Sequence, residues 1–263
     1  LGGSFGSSVL ATANVMMAAV LAKNTTVIEH AACEPEVVDL ANFLIRMGAK
    51  IKGHGSPQIE IKGVKSLSGA EYEIIPDRIE AGTLAIAAAL TKGEVTIRNI
   101  IVDHLSAVIE KLEEAGVKVK RGKDFIIVRR NGILKPVDVT ALPYPGFPTD
   151  MQAQFMALMS VAKGISVVSE KIYPDRFMHV AELNRMGAQI YRESSHAIVH
   201  GVKHLCGAPV MASDLRASAA MVLAGLVAKD KTEVIRIYHL DRGYENLEKK
   251  LAGLGARISR ERQ

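Results

Sequence analysis

The chain has 263 residues, 48% hydrophobic and 23% charged, with a formal charge of +5 at pH 7, enough apolar surface for one large or two modest cores. So mild a positive balance suits an anionic ligand rather than nucleic acid, and with no Trp and 5% aromatics there are few platforms on which bases could stack. No charge-free apolar run reaches about 18 residues, which argues against a membrane-spanning helix, and two distant cysteines, Cys33 and Cys206, make neither a disulfide framework nor a metal motif, so a cytoplasmic setting is expected.

The opening residues, Gly2-Gly3-Ser4-Phe5-Gly6-Ser7-Ser8 after Leu1, are neither a signal peptide nor a start, and they lack the Lys-Ser/Thr of a phosphate loop. A fragment or a processed chain is expected. Val9 to Ala22 reads as an apolar helix. Pro35 stands where a first helical residue belongs, followed by Val37, Leu40, Ala41, Leu44 and Met47 on an inward face. Glu73-Ile74-Ile75 reads as a short strand, and Asp77 with Glu80 three residues on has the capping-box spacing for a helix running to Lys92. Val95 to Arg98 is the next strand. Asp103 then caps a helix with the stripe Leu105, Val108, Ile109, Leu112 and Ala115, and Val117 to Lys120 and Phe125 to Arg129 form a strand pair. Helices are expected over Thr149 to Ala162, Asp175 to Met186, Asp214 to Ala228 and Asp241 to Leu254.

Two markers show that this is a repeat. Gly-Ala or Gly-Val pairs close helices at Gly48, Gly116, Gly187 and Gly255, in steps of 68, 71 and 68 residues, and apolar stretches end at Lys23, Lys92, Lys163 and Lys229, in steps of 69, 71 and 66. The period exceeds that of helical solenoids, so each unit is expected to be a small α/β module read as strand, helix, strand, helix and two strands. One helix of each pair is apolar nearly all round, as in Ala217 to Ala224, which predicts burial on every side within a shell of sheets.

The chemistry concentrates in arginines placed against the helix dipole. Asp175-Arg176 and Asp241-Arg242 occupy corresponding places, and Asp214-Leu215-Arg216 repeats the arrangement. A cation in a first helical turn costs roughly 0.3–1 kcal/mol, so an acceptor should recover it; guanidinium forks beside free helix N–H groups suit carboxylate or phosphate. The plainer reading makes each pair a cap with a solvated neighbour. Asp150, in Phe147-Pro148-Thr149-Asp150-Met151-Gln152, is either another cap or a general base kept ionised by nearby arginines. His196, His200 and His204 fall on a strand and turn and form no helical metal face, and Cys33 reads as a small apolar residue at a strand end.

These runs, with Ala32-Cys33-Glu34-Pro35-Glu36-Val37-Val38-Asp39, Pro76-Asp77-Arg78-Ile79-Glu80, Arg176-Phe177-Met178-His179-Val180 and Asp241-Arg242-Gly243-Tyr244-Glu245, resemble over essentially the whole chain the C-terminal part of the enolpyruvyl transferases that act on UDP-N-acetylglucosamine. The resemblance implies an inside-out α/β barrel of two domains, each of three βαβαββ units around buried helices. Residues 1–74 would be the last unit of the first domain, and 75–263 the second domain. It further implies transfer of the enolpyruvyl group of phosphoenolpyruvate to a sugar 3-hydroxyl in cell-wall precursor synthesis, without metal or organic cofactor.

Carried over by position, the resemblance makes Asp150 the base near that hydroxyl, and Arg176, Arg216 and Arg242 the cations that hold phosphoenolpyruvate and the tetrahedral intermediate, with Asp214 positioning them. Ser7, Ser8, Val9 and Ile172 would meet the uridine nucleotide. The family's cysteine loop would lie in a missing N-terminal segment, a partner without which the chain is expected to be inactive, and neither Cys33 nor Cys206 takes that cysteine's role. Leu10 and Cys33 stand where the family commonly has glycine and arginine, and the family often has a lysine near Gly6. The shikimate-pathway relative with the same donor, and a non-catalytic nucleotide-sugar binder, are the alternatives.

Overall fold

All four Gly-Ala or Gly-Val pairs end a helix in the same way in the computed structural model, which describes residues 2–3 and 6–261. Gly48, Gly116, Gly187 and Gly255 lie at φ between +85° and +104°, where a side chain would be strained. The N–H of the following residue returns to a leucine carbonyl five residues back each time, Ala49 to Leu44, Val117 to Leu112, Ala188 to Leu183 and Ala256 to Leu251. This is the Schellman closure.

The chain forms two units, one made of the residues up to Pro76 with Leu142–Phe147 and the other of Asp77–Ala141 with the chain from Pro148 onward. Residues 142–147, expected with the second domain, therefore group with the first unit. That unit holds the short pair β1 (Gly2–Gly3) and β2 (Gly6–Ser7), then α1 (Val9–Ala19), β3 (Thr25–Glu29), α2 (Pro35–Arg46), β4 (Lys50–Lys52) and β5 (Gln58–Lys62). Its antiparallel sheet, in the order β3-β5-β4, buries Ile28, Ile51, Ile59 and Ile61 against Val37, Ala41 and Leu44 of α2 and Met16 of α1. Leu10, Met17 and Leu21 remain exposed.

The second unit runs through α3 (Arg78–Thr91), β6 (Glu94–Arg98), a 3-10 turn and α4 (Ser106–Glu114), β7 (Lys118–Arg121), β8 (Phe125–Arg129) and β9 (Val139–Ala141). It continues with α5 (Gln152–Met159), β10 (Ile165–Glu170), α6 (His179–Arg185), β11 (Gln189–Glu193), β12 (His196–His200), β13 (Pro209–Met211), α7 (Leu215–Gly225), β14 (Glu233–Ile235), a 3-10 turn Ile237–Arg242 and α8 (Leu247–Gly253). Its sheets are ordered β6-β8-β7, β11-β12-β10-β9 and β13-β14. In each of the first three repeats the last strand lies between the two that precede it, β5, β8 and β12 being central to their antiparallel triplets. The parallel partner β9 completes βαβαββ in the third. No sheet closes on itself among the described residues. Helices α3, α5 and α7 pack on one another and are buried nearly all round, which the all-apolar pattern predicted. No helix among the described residues is long and apolar enough to cross a membrane.

The repeats also close alike. The residue after the last strand donates its N–H to the residue before the first strand of the triplet (β3, β6 or β10): Gly63 to Asn24 and Gly201 to Gly164 at 2.9 Å, and Arg130 to Gly93 at 3.4 Å. A Cβ on Gly63 or Gly201 would lie 1.7 or 1.6 Å from the carbonyl oxygen of Ala22 or Ala162, so only glycine fits. The looser second repeat admits a side chain. Arg130 is buried there and donates to the carbonyls of Ala89 and Leu90, taking up carbonyls at the end of α3, and to that of Gly132 in the following loop.

Several expected elements differ. Glu73-Ile74-Ile75 belongs to no strand, and Ile74 is 75% exposed with no sheet face to cover it. Asp103 caps nothing through its side chain; a 3-10 turn, Val102–Leu105, precedes α4. Likewise α5 begins only at Gln152, after the 3-10 turn Thr149–Met151. The helices foreseen from Asp175 and Asp241 start at His179 and Leu247. Both aspartates are engaged elsewhere, Asp175 by Arg192 at 2.7 Å and Asp241 by Arg260, so neither caps a helix.

Candidate functional site

Of the three arginines expected in first helical turns, Arg216 alone is there. Asp214 is the N-cap of α7, its Oδ1 accepting from the backbone N–H groups of Arg216 and Ala217 at 2.7 Å each. Arg176 lies in the irregular segment before α6, and Arg242 ends a 3-10 turn. Neither of those two therefore opposes the dipole of a helix.

Tertiary structure nevertheless brings Arg176 and Arg216 to the same carboxylate. Asp150 accepts from Arg176 Nη1 at 2.6 Å through Oδ1, and from Arg216 Nε and Nη2 at 3.2 and 3.1 Å through Oδ2. The Asp150 side chain is 37% exposed, against 19% for Arg176 and 10% for Arg216, so the carboxylate faces solvent and the cations lie behind it. Burial pushes the Asp150 carboxyl up, but Coulombic attraction from Arg216 and Arg176 and their hydrogen bonds outweigh it and hold the group below the ordinary aspartate value. Two guanidinium groups on one carboxylate leave an excess of positive charge. Nη1 of Arg216 is buried without an acceptor among the described residues.

A second layer, not foreseen in the sequence, supports these groups. Arg216 lies over the Tyr244 ring at 5.3 Å. The Tyr244 hydroxyl meets Thr83 Oγ1 at 2.9 Å and accepts from Gln154 Nε2 at 3.2 Å, while the same amide donates to the Asp150 carbonyl at 2.9 Å. These buried polar groups tie α3, α5 and α7 together behind the carboxylate. His179, 1% exposed, is driven down to about 4 by burial and by Arg176, with Asp214 opposing, so it is neutral at pH 7. Its place in the Arg176-Phe177-Met178-His179-Val180 run is the sole sequence signal for it.

The other expected residues are placed separately. Arg242 is exposed and makes no ion pair or hydrogen bond among the described residues. Ile172 follows β10, its N–H held by Glu170. In the first unit, Ser7 ends β2, Ser8 caps α1 with its hydroxyl accepting from Ala11 N–H at 3.3 Å, and Val9 begins that helix. Ser7 lines a cavity of about 420 Å³ with His30, Cys33, Pro57, Pro143 and Tyr144. Burial and the Glu34 charge raise the Cys33 thiol above its ordinary value, the behaviour of an inert cysteine. His196 and His200 lie on β12, where His196 Nδ1 meets Ser169 Oγ at 2.7 Å.

The second unit is thus a set of repeated α/β modules around buried helices that presents a carboxylate clamped by two arginines. The chain belongs to the EPSP synthase (3-phosphoshikimate 1-carboxyvinyltransferase) family, whose model matches residues 4–251. Among similar proteins, a UDP-N-acetylglucosamine 1-carboxyvinyltransferase of Methylacidiphilum infernorum is 56% identical over 99% of this chain and 62% of its own length. UDP-N-acetylglucosamine 1-carboxyvinyltransferase 2 of Carboxydothermus hydrogenoformans is 60% identical over 96% of this chain and 61% of its own. The chain therefore spans about three fifths of the length of these relatives. Among solved structures, the enolpyruvyl transferase NikO from Streptomyces tendae superposes with a TM-score of 0.86 at 29% identity, covering 95% of this chain and 60% of that one. EPSP synthase from Acinetobacter baumannii, at a TM-score of 0.72 and 19% identity over 97% of this chain and 62% of that one, shares the fold.

Proposed function

We propose that this chain forms the acceptor-activating and anion-binding part of a cytoplasmic transferase that moves the enolpyruvyl group of phosphoenolpyruvate to the 3-hydroxyl of UDP-N-acetylglucosamine, releasing phosphate, in peptidoglycan precursor synthesis. The observation that carries the reading is the Asp150 carboxylate held between Arg176 and Arg216, two cations on one anion. The names and identities of the relatives support the substrates. The shikimate alternative rests on likeness at 18–19% identity and on the family's shared fold. In this reading the units are parts of an inside-out α/β barrel, the residues up to Pro76 with Leu142–Phe147 belonging to the first domain and Asp77–Ala141 with the chain from Pro148 onward to the second, and a further segment of the same protein supplies the acid.

The chemistry follows from competition for the guanidinium groups. An incoming carboxylate or phosphate draws Arg216 and Arg176 away from Asp150, and losing those partners raises the carboxylate's basicity. Asp150 then takes the proton of the sugar hydroxyl as its oxygen bonds to C2 of phosphoenolpyruvate and a proton is added at C3. Arg176, Arg216 and Arg242 stabilise the anionic groups of the resulting ketal. Return of one C3 proton to the acid's conjugate base and cleavage of the C2–O bond to the phosphate release phosphate and leave the enolpyruvyl ether of the sugar. On the second unit Ile172 meets the nucleotide, and Ser7, Ser8 and Val9 of the first unit are the further nucleotide contacts that the resemblance implies.

The test is phosphate release from phosphoenolpyruvate and UDP-N-acetylglucosamine by the full-length protein and its Asp150→Asn variant. The variant should lose at least about 10²-fold in kcat while nucleotide-sugar affinity stays within about tenfold. Near-normal turnover would remove Asp150 from the mechanism, and wild-type turnover only with shikimate 3-phosphate would favour the alternative.

A further inference from the structure

One fully buried carboxylate lies outside every role assigned so far. Glu170, the last residue of β10, is 0% exposed and makes no ion pair among the described residues. Removing a carboxylate from water is costly unless donors replace the lost hydration. Three do so. Oε1 accepts from the backbone N–H groups of Ile172 and Tyr173 at 2.8 and 3.1 Å, and Oε2 accepts from the Thr149 hydroxyl at 2.7 Å. Its own N–H donates to Ser195, which fixes the strand end that carries it.

These bonds join two segments otherwise distant in sequence. Ile172 and Tyr173 open the irregular segment that leads to Arg176, while Thr149 starts the 3-10 turn that carries Asp150. Thr149 Oγ1, having given its proton to Glu170, accepts from Arg176 Nη1 at 3.2 Å, the atom that also meets Asp150. The direction of the Thr149 hydroxyl thus sets which lone pairs face Arg176. We infer that Glu170 is a positioning residue: through Thr149 and the Ile172 and Tyr173 amides it holds Arg176 against Asp150 and fixes the backbone at Ile172 where the nucleotide is to be met. The functional half of this statement rests on the proposed activity; the structural half does not.

Two measurements test it. Hydrogen exchange on the chain should show the Ile172 and Tyr173 amides exchanging at least about tenfold faster in Glu170→Gln, with the amides of α7 unchanged. In the full-length protein, Glu170→Gln and Thr149→Val should each raise the KM for the nucleotide sugar and lower kcat, by about tenfold in kcat/KM, and the double variant should lose little more than either alone, because both break one relay. Thr149→Val keeps the shape of the side chain and leaves the backbone bonds of Glu170 in place, so it reads the relay even if Glu170→Gln folds poorly. Unchanged exchange at Ile172 and Tyr173, additive losses in the double variant, or kinetic constants within twofold of the parent in both single variants would overturn the inference. A parent that releases no phosphate would defeat the proposed function instead, and the exchange measurement would still decide the role of Glu170.

Discussion

Lowering the pH from 7 to 5 should destabilise this protein through His179 alone by about 2 kcal/mol, because the native state keeps that imidazole neutral while the unfolded chain protonates it. The side chain is 1% exposed, and burial together with Arg176 drives its pKa from 6.5 to about 4 against the pull of Asp214. The folded value is the lower one, so the stabilisation is present above pH 6.5 and is lost as the pH falls toward 4, with a limit of about 3.4 kcal/mol for the whole shift. Asp150 does not interfere in this window. Its carboxyl is held low, so its contribution persists until the pH falls to the ordinary aspartate range near ~3.9. Urea unfolding at pH 7, 6 and 5 of the chain and of His179→Phe, which keeps the ring volume without the ionisable nitrogens, isolates the effect, since the other histidines, common to both proteins, cancel in the difference. The variant should lose about 2 kcal/mol less than the parent between pH 7 and 5. Parallel curves for the two proteins, or an imidazole resonance of His179 titrating near 6.5 in the folded state, would refute the reasoning.

Arg242→Lys in the full-length protein should cost on the order of 10²-fold in kcat/KM for phosphoenolpyruvate, since an ammonium cannot replace a bidentate fork; unchanged kinetics would remove this exposed arginine from the anion site. Arg130→Ala should destabilise the chain by about 3 kcal/mol in urea titration, because the carbonyls of Ala89 and Leu90 lose a charged donor. Gly201→Ala should cost more than about 3 kcal/mol or prevent folding, as its Cβ would meet the Ala162 oxygen at 1.6 Å; an unchanged melting temperature would contradict the close approach.

What the sequence alone determined here is what depends on short-range pattern. The repeat was legible because each Gly at positive φ must be a glycine and each Schellman closure lies within six residues. The buried helices α3, α5 and α7 were legible because residues apolar on every side have no solvated face to offer. Asp77 and Asp214 were recognisable as caps since their partners are two and three residues away. The site was only partly so. Asp175 and Asp241 have the same local form as true caps, and nothing within a few residues reveals that Arg192 and Arg260 take their carboxylates. Glu170 and His179 sit in strand and helix patterns that give no sign of three donors around one and two opposing charges around the other. Tertiary structure alone brings Arg176 and Arg216, 40 positions apart in the chain, onto the two oxygens of Asp150. Hydrogen bonds and desolvation act over a few ångströms of space, whatever the separation along the chain, so that convergence is decided by packing.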